Sequence, residues 1–310
     1  MEKHYKKSPK TKLIKLTWII VIIAIVLSLV LLLCTQKIKE ITNIKKDINI
    51  EKKIELQNKE YTEEELIEKK TIEERDKILS SDNAQITDII KAGKTVKKII
   101  IIVDDGGINS EYAKSVAQIR MPLTWAIIPY EKNSRLFAEI ADENNIPYLV
   151  HMPMQSIYDK EKSKYVIGIK MNSQEIKDKI SGSFEILPGA IGLNNHRGSL
   201  ATSHEETMQP VMEEIKSRGL IFVDSNTIKE SIAYDKAIEN GVVAYKNNGF
   251  LDVVADKGTI KSTFYKILKH SRRSTLVLIC HFRPETIKFL KELEKEYKNI
   301  NAEFVTLKTE

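Results

Sequence analysis

Several short apolar runs in this sequence are followed at once by side chains able to move a proton or hold a cation. The first such cluster is Asp104-Asp105-Gly106-Gly107, directly after Ile99–Val103. Two adjacent carboxylates resist joint ionisation unless a cation or hydrogen bonds offset their repulsion, and a metal is the economical answer. The glycines give the backbone room to turn. A second cluster, His151-Met152-Pro153-Met154, follows Tyr148–Val150, and a third, Asn194-Asn195-His196-Arg197-Gly198-Ser199, follows Ala190–Leu193. A single histidine at such a place is as readily a hydrogen-bonded loop residue as a ligand. Two histidines and a carboxylate pair at equivalent places are a stronger signal, because Asp, His and His form a common catalytic zinc set that leaves a position for water. Asp224-Ser225 after Leu220–Val223 is a fourth cluster. A fifth is His281 with Arg283-Pro284-Glu285, after Leu276–Ile279. His4, His204 and His270 do not follow such runs and read as structural.

The elements that must position these residues are legible in outline. The runs above, with Leu123–Ile128, Val242–Ala244 and Phe304–Leu307, are short and largely β-branched, as strands are. Between them, segments such as Ser134–Asn144, Glu205–Arg218, Gly258–His270 and Glu285–Tyr297 carry apolar residues at helical spacing. Parallel neighbours need crossover connections, so the alternation predicts an α/β domain with a mainly parallel sheet or a (β/α) barrel over residues 97–310. In either architecture sites collect where strands hand over to loops at their C-terminal ends, which would bring all the clusters to one edge.

VDDGG, PLTWAIIPY, HMPM, GLNNHRGS, FVDSNT and the late strand ending in His281 occur in the order seen in the divergent polysaccharide deacetylases, and residues 97–307 resemble that family. The resemblance implies a distorted (β/α) barrel and metal-dependent deacetylation of an N-acetylated cell-envelope polysaccharide. It passes the role of general base to Asp104, metal ligation to Asp105, His151 and His196, and the role of general acid to His281. The implied cofactor is a divalent metal, with zinc the expected ion. Asn195, Arg197 and Asp224 are further site candidates: Asp224 to orient a histidine or bind a sugar hydroxyl, and backbone N–H groups near Asn194–Gly198 to hold an oxyanion.

Two departures from the family pattern matter. The usual second histidine, four positions after the first, is here Gln155, so that ligand must come from elsewhere, and His196 is the candidate. The arginine-bearing motif that orients the base is absent, and Arg197 or Arg283 is the candidate substitute. These departures keep open an alternative, a protein that holds a metal and binds glycan without hydrolysing it. Trp125 and Tyr130 flank a strand end and could stack on sugar rings, although core packing is the commoner role of such residues.

The remaining sequence predicts where the domain is held. Residues 16–36 lack charged side chains and, at about 1.5 Å per residue, are long enough to cross a hydrocarbon core of roughly 30 Å as a transmembrane helix. The lysine-rich tail, residues 1–15, predicts a cytoplasmic N-terminus, and therefore a plasma-membrane protein with its C-terminal domain outside the cytoplasm. A cleaved signal peptide is the competing reading, and the missing A-x-A-like site argues against it. Residues 37–96 read as a charged helical or disordered stalk. Cys34 and Cys280 predict no disulfide framework. Much of the net charge of +6 comes from the basic tail, where topology accounts for it, so nucleic acid is not an expected partner. The expected partners are a cell-envelope glycan and, through the apolar segment, the membrane.

Overall fold

The computed structural model describes residues 96–159 and 165–308. The predicted basic tail, transmembrane segment and stalk lie outside these residues, except for Val96. Among the described residues no helix is long and apolar enough to cross a membrane.

The chain alternates as expected. The first part runs β1 (Lys98–Gly106), α1 (Ser110–Ala117), β2 (Thr124–Ile127), α2 (Ser134–Glu143), β3 (Tyr148–Met154), α3 (Ser173–Ile186), β4 (Gly192–Arg197) and α4 (Glu205–Ser217). It continues with β5 (Ile221–Asp224), α5 (Ala233–Glu239), β6 (Ala244–Lys246), β7 (Gly249–Phe250), α6 (Lys257–His270), β8 (Thr275–His281), α7 (Pro284–Glu296) and β9 (Glu303–Phe304). Local chemistry marks several helix starts. Asn172 and Glu175 form a reciprocal capping box before α3, the Asp256 side chain caps α6, and Pro284 opens α7 where its missing N–H costs nothing. The predicted strand at Phe304–Leu307 is shorter than expected. Beyond Phe304 the tail turns inward, and Leu307 donates its N–H to Thr124 Oγ1.

All strand pairs are parallel, in the order β6-β5-β4-β3-β2-β1-β8-β7, with β9 also on β1. At about 4.8 Å per strand a flat sheet in this order would part its edges by roughly 34 Å. Yet β6 and β7 are joined through Asn247 and Asn248 alone, and three Cα steps reach at most about 11 Å. The sheet must therefore curl. It is a curled half-barrel rather than a fully hydrogen-bonded barrel, and the two asparagines bridge its open side. Asn247 N–H donates to Asp224 O, while Asn248 N–H donates to Val277 O and its side chain accepts from Val277 N–H.

Curling divides the apolar residues by the two-residue period of a strand. Ile100, Ile102, Ala126, Leu149, Ile221, Val223, Val277 and Ile279, with Leu307 from the tail, fill the inside. Ile99, Ile101, Val103, Trp125, Val150, Leu193 and Phe222 face outward and pack with helix residues such as Phe137, Ile180, Val211 and Phe289. Each fully buried large apolar side chain contributes about 1.5–3 kcal/mol. Among the described residues the buried apolar core runs from Val96 to Leu307, within a compact unit that spans Arg75–Glu310 and has the core a domain needs to fold alone.

Candidate active site

Strand alternation decides which polar residues enter the mouth of the half-barrel. Asp104 continues the inward series Ile100, Ile102, and His151 continues Leu149. His281 follows Val277 and Ile279 in the same way, while Asn194 and His196 oppose the outward Leu193. Asp105 should by this rule point away from Asp104. Its φ of 63° breaks the alternation and brings its carboxylate to the same mouth, a left-handed conformation that is costly for a non-glycine residue. Gly107 then ends the strand at φ 107°, where a Cβ would stand 3.0 Å from that of Glu131.

The side chains converge on one point. Asp105 Oδ1 lies 3.2 Å from His151 Nε2 and 3.1 Å from His196 Nδ1, and the two ring nitrogens are 3.1 Å apart. Donors held about 2.0–2.2 Å from a tetrahedral zinc ion stand roughly 3.3 Å from one another, close to these spacings. Asp105, His151 and His196 could together hold a metal ion.

Asn194 supplies the argument for what lies between them. Its Nδ2 donates to Asp104 Oδ1 at 3.0 Å, which turns its Oδ1 toward His151 Nδ1 at 2.9 Å. Nδ1 must then carry the proton, so neutral His151 aims the Nε2 lone pair at the Asp105 oxygen and at His196. Lone pairs directed at one another in a partly buried place repel unless a proton or a metal cation lies among them, and the donor set therefore fits a divalent metal.

The neighbouring aspartates are driven apart by their surroundings. Burial raises the Asp104 carboxyl above the usual range, and the charges of His151 and His281 only partly oppose it. Burial also works against ionised Asp105, but hydrogen bonds to His151 and His196 outweigh it and hold this carboxyl well below the usual range. For His151 burial disfavours the charge, while Asp104 and Asp105 favour it more strongly and raise the imidazole. The sequence reading placed Asp104 beside a ligand, and the structure does bring its Oδ2 within 3.6 Å of His151 Nε2.

His281 sits on β8 in register with Asp104 on β1. Its Nδ1 donates to Asp252 Oδ1 at 2.7 Å, and its backbone N–H donates to Asp252 Oδ2 at 2.8 Å. Thr286 Oγ1 donates to the same Oδ2, so this fully buried carboxylate is held from several sides. Burial lowers the affinity of His281 for a proton, but the hydrogen bond and charge of Asp252 more than restore it, and the imidazole is raised. Sequence reasoning missed both Asp252 and Asn194. The first follows a two-residue strand with no periodic signal, and the second is an uncharged amide within a motif read for its histidine.

Other expectations are corrected. Asn195 is buried outside the mouth, where it accepts from Ser225 N–H and donates to Arg197 O, bracing the β4 and β5 loops. Arg197 pairs with Asp159, and Arg283 donates to the backbone carbonyl of Asp252. Neither reaches Asp104, whose partner is instead Asn194. Asp224 shares the outward parity of Phe222, and its carboxylate accepts from Asn226 N–H and Ser231 Oγ rather than holding a histidine. Gln155 staples loops, accepting from Ile169 N–H through its side chain and from Leu200 and Ala201 through its backbone. Core packing, the commoner role expected of Trp125 and Tyr130, holds for Trp125, which is fully buried against Phe137 and Phe282, while Tyr130 stacks on Tyr165 and bonds Ser183 Oγ.

The profile of the divergent polysaccharide deacetylases matches residues 101–309, which includes every side chain of this mouth. The chain belongs to that family. This deacetylase-family chain is 29% identical to the uncharacterized protein YibQ of Escherichia coli K12 over 197 residues, 63% of the chain and 62% of the relative. It therefore spans less than two thirds of that relative's length. An uncharacterized protein of Haemophilus influenzae is likewise 29% identical, over 63% of this chain and 70% of its own. A crystal structure of an uncharacterized Agrobacterium tumefaciens protein shares the fold at a TM-score of 0.62 and 14% identity, covering 70% of this chain and 93% of that one. A putative cellobiose-phosphate cleavage protein from Enterococcus faecalis follows at 0.51 and 13%, covering 68% and 97%.

Proposed function

We propose that this chain is a metal-dependent deacetylase of an N-acetylated cell-envelope glycan, held at the outer face of the plasma membrane by residues 16–36. The observation that carries the catalytic part is the His151 lone pair, fixed by Asn194 and aimed at the point shared with Asp105 and His196. Those three residues would hold the ion, with zinc favoured by an N/O donor set that leaves room for water. A bound divalent ion lowers the pKa of water and polarises an acyl oxygen.

The remaining steps belong to the protein. Asp104, buried and with a raised carboxyl, accepts the proton of the attacking water while Asn194 holds its Oδ1 in place. His281, kept protonated by Asp252, gives a proton to the departing sugar amine, so the C–N bond breaks to a neutral amine and acetate. Two groups whose surroundings push their proton affinities in useful directions are the usual basis for dividing acid and base roles.

Elemental analysis of the purified domain, with acetate release from N-acetylglucosamine oligomers, tests this directly. We expect about one metal ion per chain, and no metal and no acetate release in Asp105→Ala. Full metal occupancy in that variant would sink the assignment. Metal and glycan binding without acetate release in the unaltered protein would favour the non-hydrolysing alternative, which Gln155 in the place of a ligand histidine motivates.

A further inference from the structure

Because all the strands are parallel, the active-site mouth and the strand starts form opposite poles of the domain. Along β8 alone the six steps from Thr275 to His281 separate them by about 20 Å. Around the starts of β1, β8 and β9 the pole of strand starts carries a basic patch, while its other side carries Asp142, Glu143, Glu185 and Glu239 at the ends of α2, α3 and α5. Lys97 and Lys98 both donate backbone N–H groups to Ser274 O, next to Arg272 and Arg273, with Lys269 one turn earlier at the end of α6. Lys298 lies before β9, which pairs with β1 at Lys98. All six are exposed, and among the described residues none is in an ion pair. By contrast Lys177, Lys236, Lys257, Lys261 and Lys288, on the helices, are each paired with a glutamate. A basic residue at a helix C-terminus complements the macrodipole, which explains Lys269. It does not explain Lys97, Lys98, Arg272 and Arg273, which lie outside the helices. Glu303 is the acidic residue that pairs in register with Lys98 there.

The first described residues, Val96–Lys98, also lie at this pole, and the 95 residues that precede them include the apolar segment. Like charges gathered without counter-ions repel one another and are costly to the fold, whereas near an anionic lipid surface each becomes attractive. We infer that this basic pole docks electrostatically on anionic lipid headgroups. Docking would point the mouth with Asp104, Asp105, His151, His196 and His281 away from the bilayer, toward a glycan lying outside it. The inference deepens the membrane-held reading proposed above and rests on it for where the surface is met; the charge pattern itself belongs to the domain alone.

Co-sedimentation of residues 75–310, the compact unit, with vesicles separates the two. The vesicles are phosphatidylcholine alone, or with about one third phosphatidylglycerol. Binding is expected to the phosphatidylglycerol vesicles only, and to disappear as salt rises from about 50 to 500 mM, which shortens the screening length. The variant Lys98→Glu/Arg272→Glu/Arg273→Glu should bind at least about 100-fold more weakly, at roughly fivefold for each cation lost and more for reversal. Lys132→Glu/Arg135→Glu/Lys170→Glu, with the same charge change away from this pole, should bind like the parent. Circular dichroism establishes that both variants are folded. Equal loss in the two triple variants, or binding to soluble polyphosphate but not to lipid, would overturn the inference. Membrane retention of the full chain in high salt reports the apolar segment separately, because screening removes the docking and leaves a spanning helix in place.

Discussion

The mouth of the half-barrel contains two groups built from the same kinds of side chain, and they differ in what holds the imidazole. At His281 the partner of Nδ1 is a carboxylate, Asp252, itself held by Thr286 and by a backbone N–H. A charged partner raises the affinity of the ring for a second proton, which suits a proton carrier. At His151 the partner of Nδ1 is a neutral amide, Asn194, and the carboxylate of Asp105 lies on the other side of the ring with His196. The amide fixes the tautomer without adding charge behind the ring, and Nε2 is left to share a cation. Both imidazoles are raised, so under the proposed function it is the position of the carboxylate, behind Nδ1 at His281 and in front of Nε2 at His151, that would separate an acid histidine from a ligand histidine.

Breaking each group should have distinct consequences. Outside the metal-holding residues the largest is expected in His281→Ala, where acetate release falls by about 10²–10⁴-fold with metal content unchanged, read by a single-turnover assay beside elemental analysis. Loss of metal in this variant would mean that the groups are not separate. Asn194→Ala should weaken metal affinity by about 10–100-fold, measured by competition with a chelator, because the His151 ring loses its orientation. Unchanged affinity would show that the amide does not set the ligand.

Asp252→Asn sharpens the comparison through pH. With the carboxylate gone, the His281 imidazole loses the group that raises it, so the alkaline limb of the rate profile moves to lower pH at constant metal content. The same pair also bears on stability. Folded His281 is raised, so its contribution is complete below its unfolded value of 6.5 and fades as pH rises through the folded one. Folded Asp252 is lowered despite burial, so its contribution is complete above 3.8 and fades on acidification. Unfolding of the parent and of Asp252→Asn should therefore differ most between those values, and a pH-independent difference would exclude the linkage. The smallest effect is expected in Asp224→Ala, which should cost about 1–3 kcal/mol in urea unfolding by removing the acceptor of Asn226 N–H and of the Ser231 O–H. Its metal affinity should not change, since its carboxylate faces away from the mouth.

How far the site could be read follows from strand geometry. Asp104, His151, His196 and His281 stand at the ends of runs whose alternate residues point into the half-barrel, and both the runs and the spacing are visible in the chain. The same period separates Asn195 from His196 and aligns Asp224 with Phe222, so their outward placement was implicit as well. Asp105 defied the period because φ at that one residue is positive. Asp252 follows a two-residue strand too short to carry any pattern, and it gains a role only because β7 lies beside β8.

Periodicity and motif order are local properties of the chain, and they were enough to specify the alternation of strands and helices, the edge on which the polar clusters collect, and the family. That Asn194 rather than an arginine holds Asp104, that Asp252 stands behind His281, and that Asn247 and Asn248 bridge the half-barrel emerged with the folded sheet. Those contacts join residues far apart in the chain or turn on a single backbone angle, and their energies depend on distance and burial, which exist only once the sheet has curled.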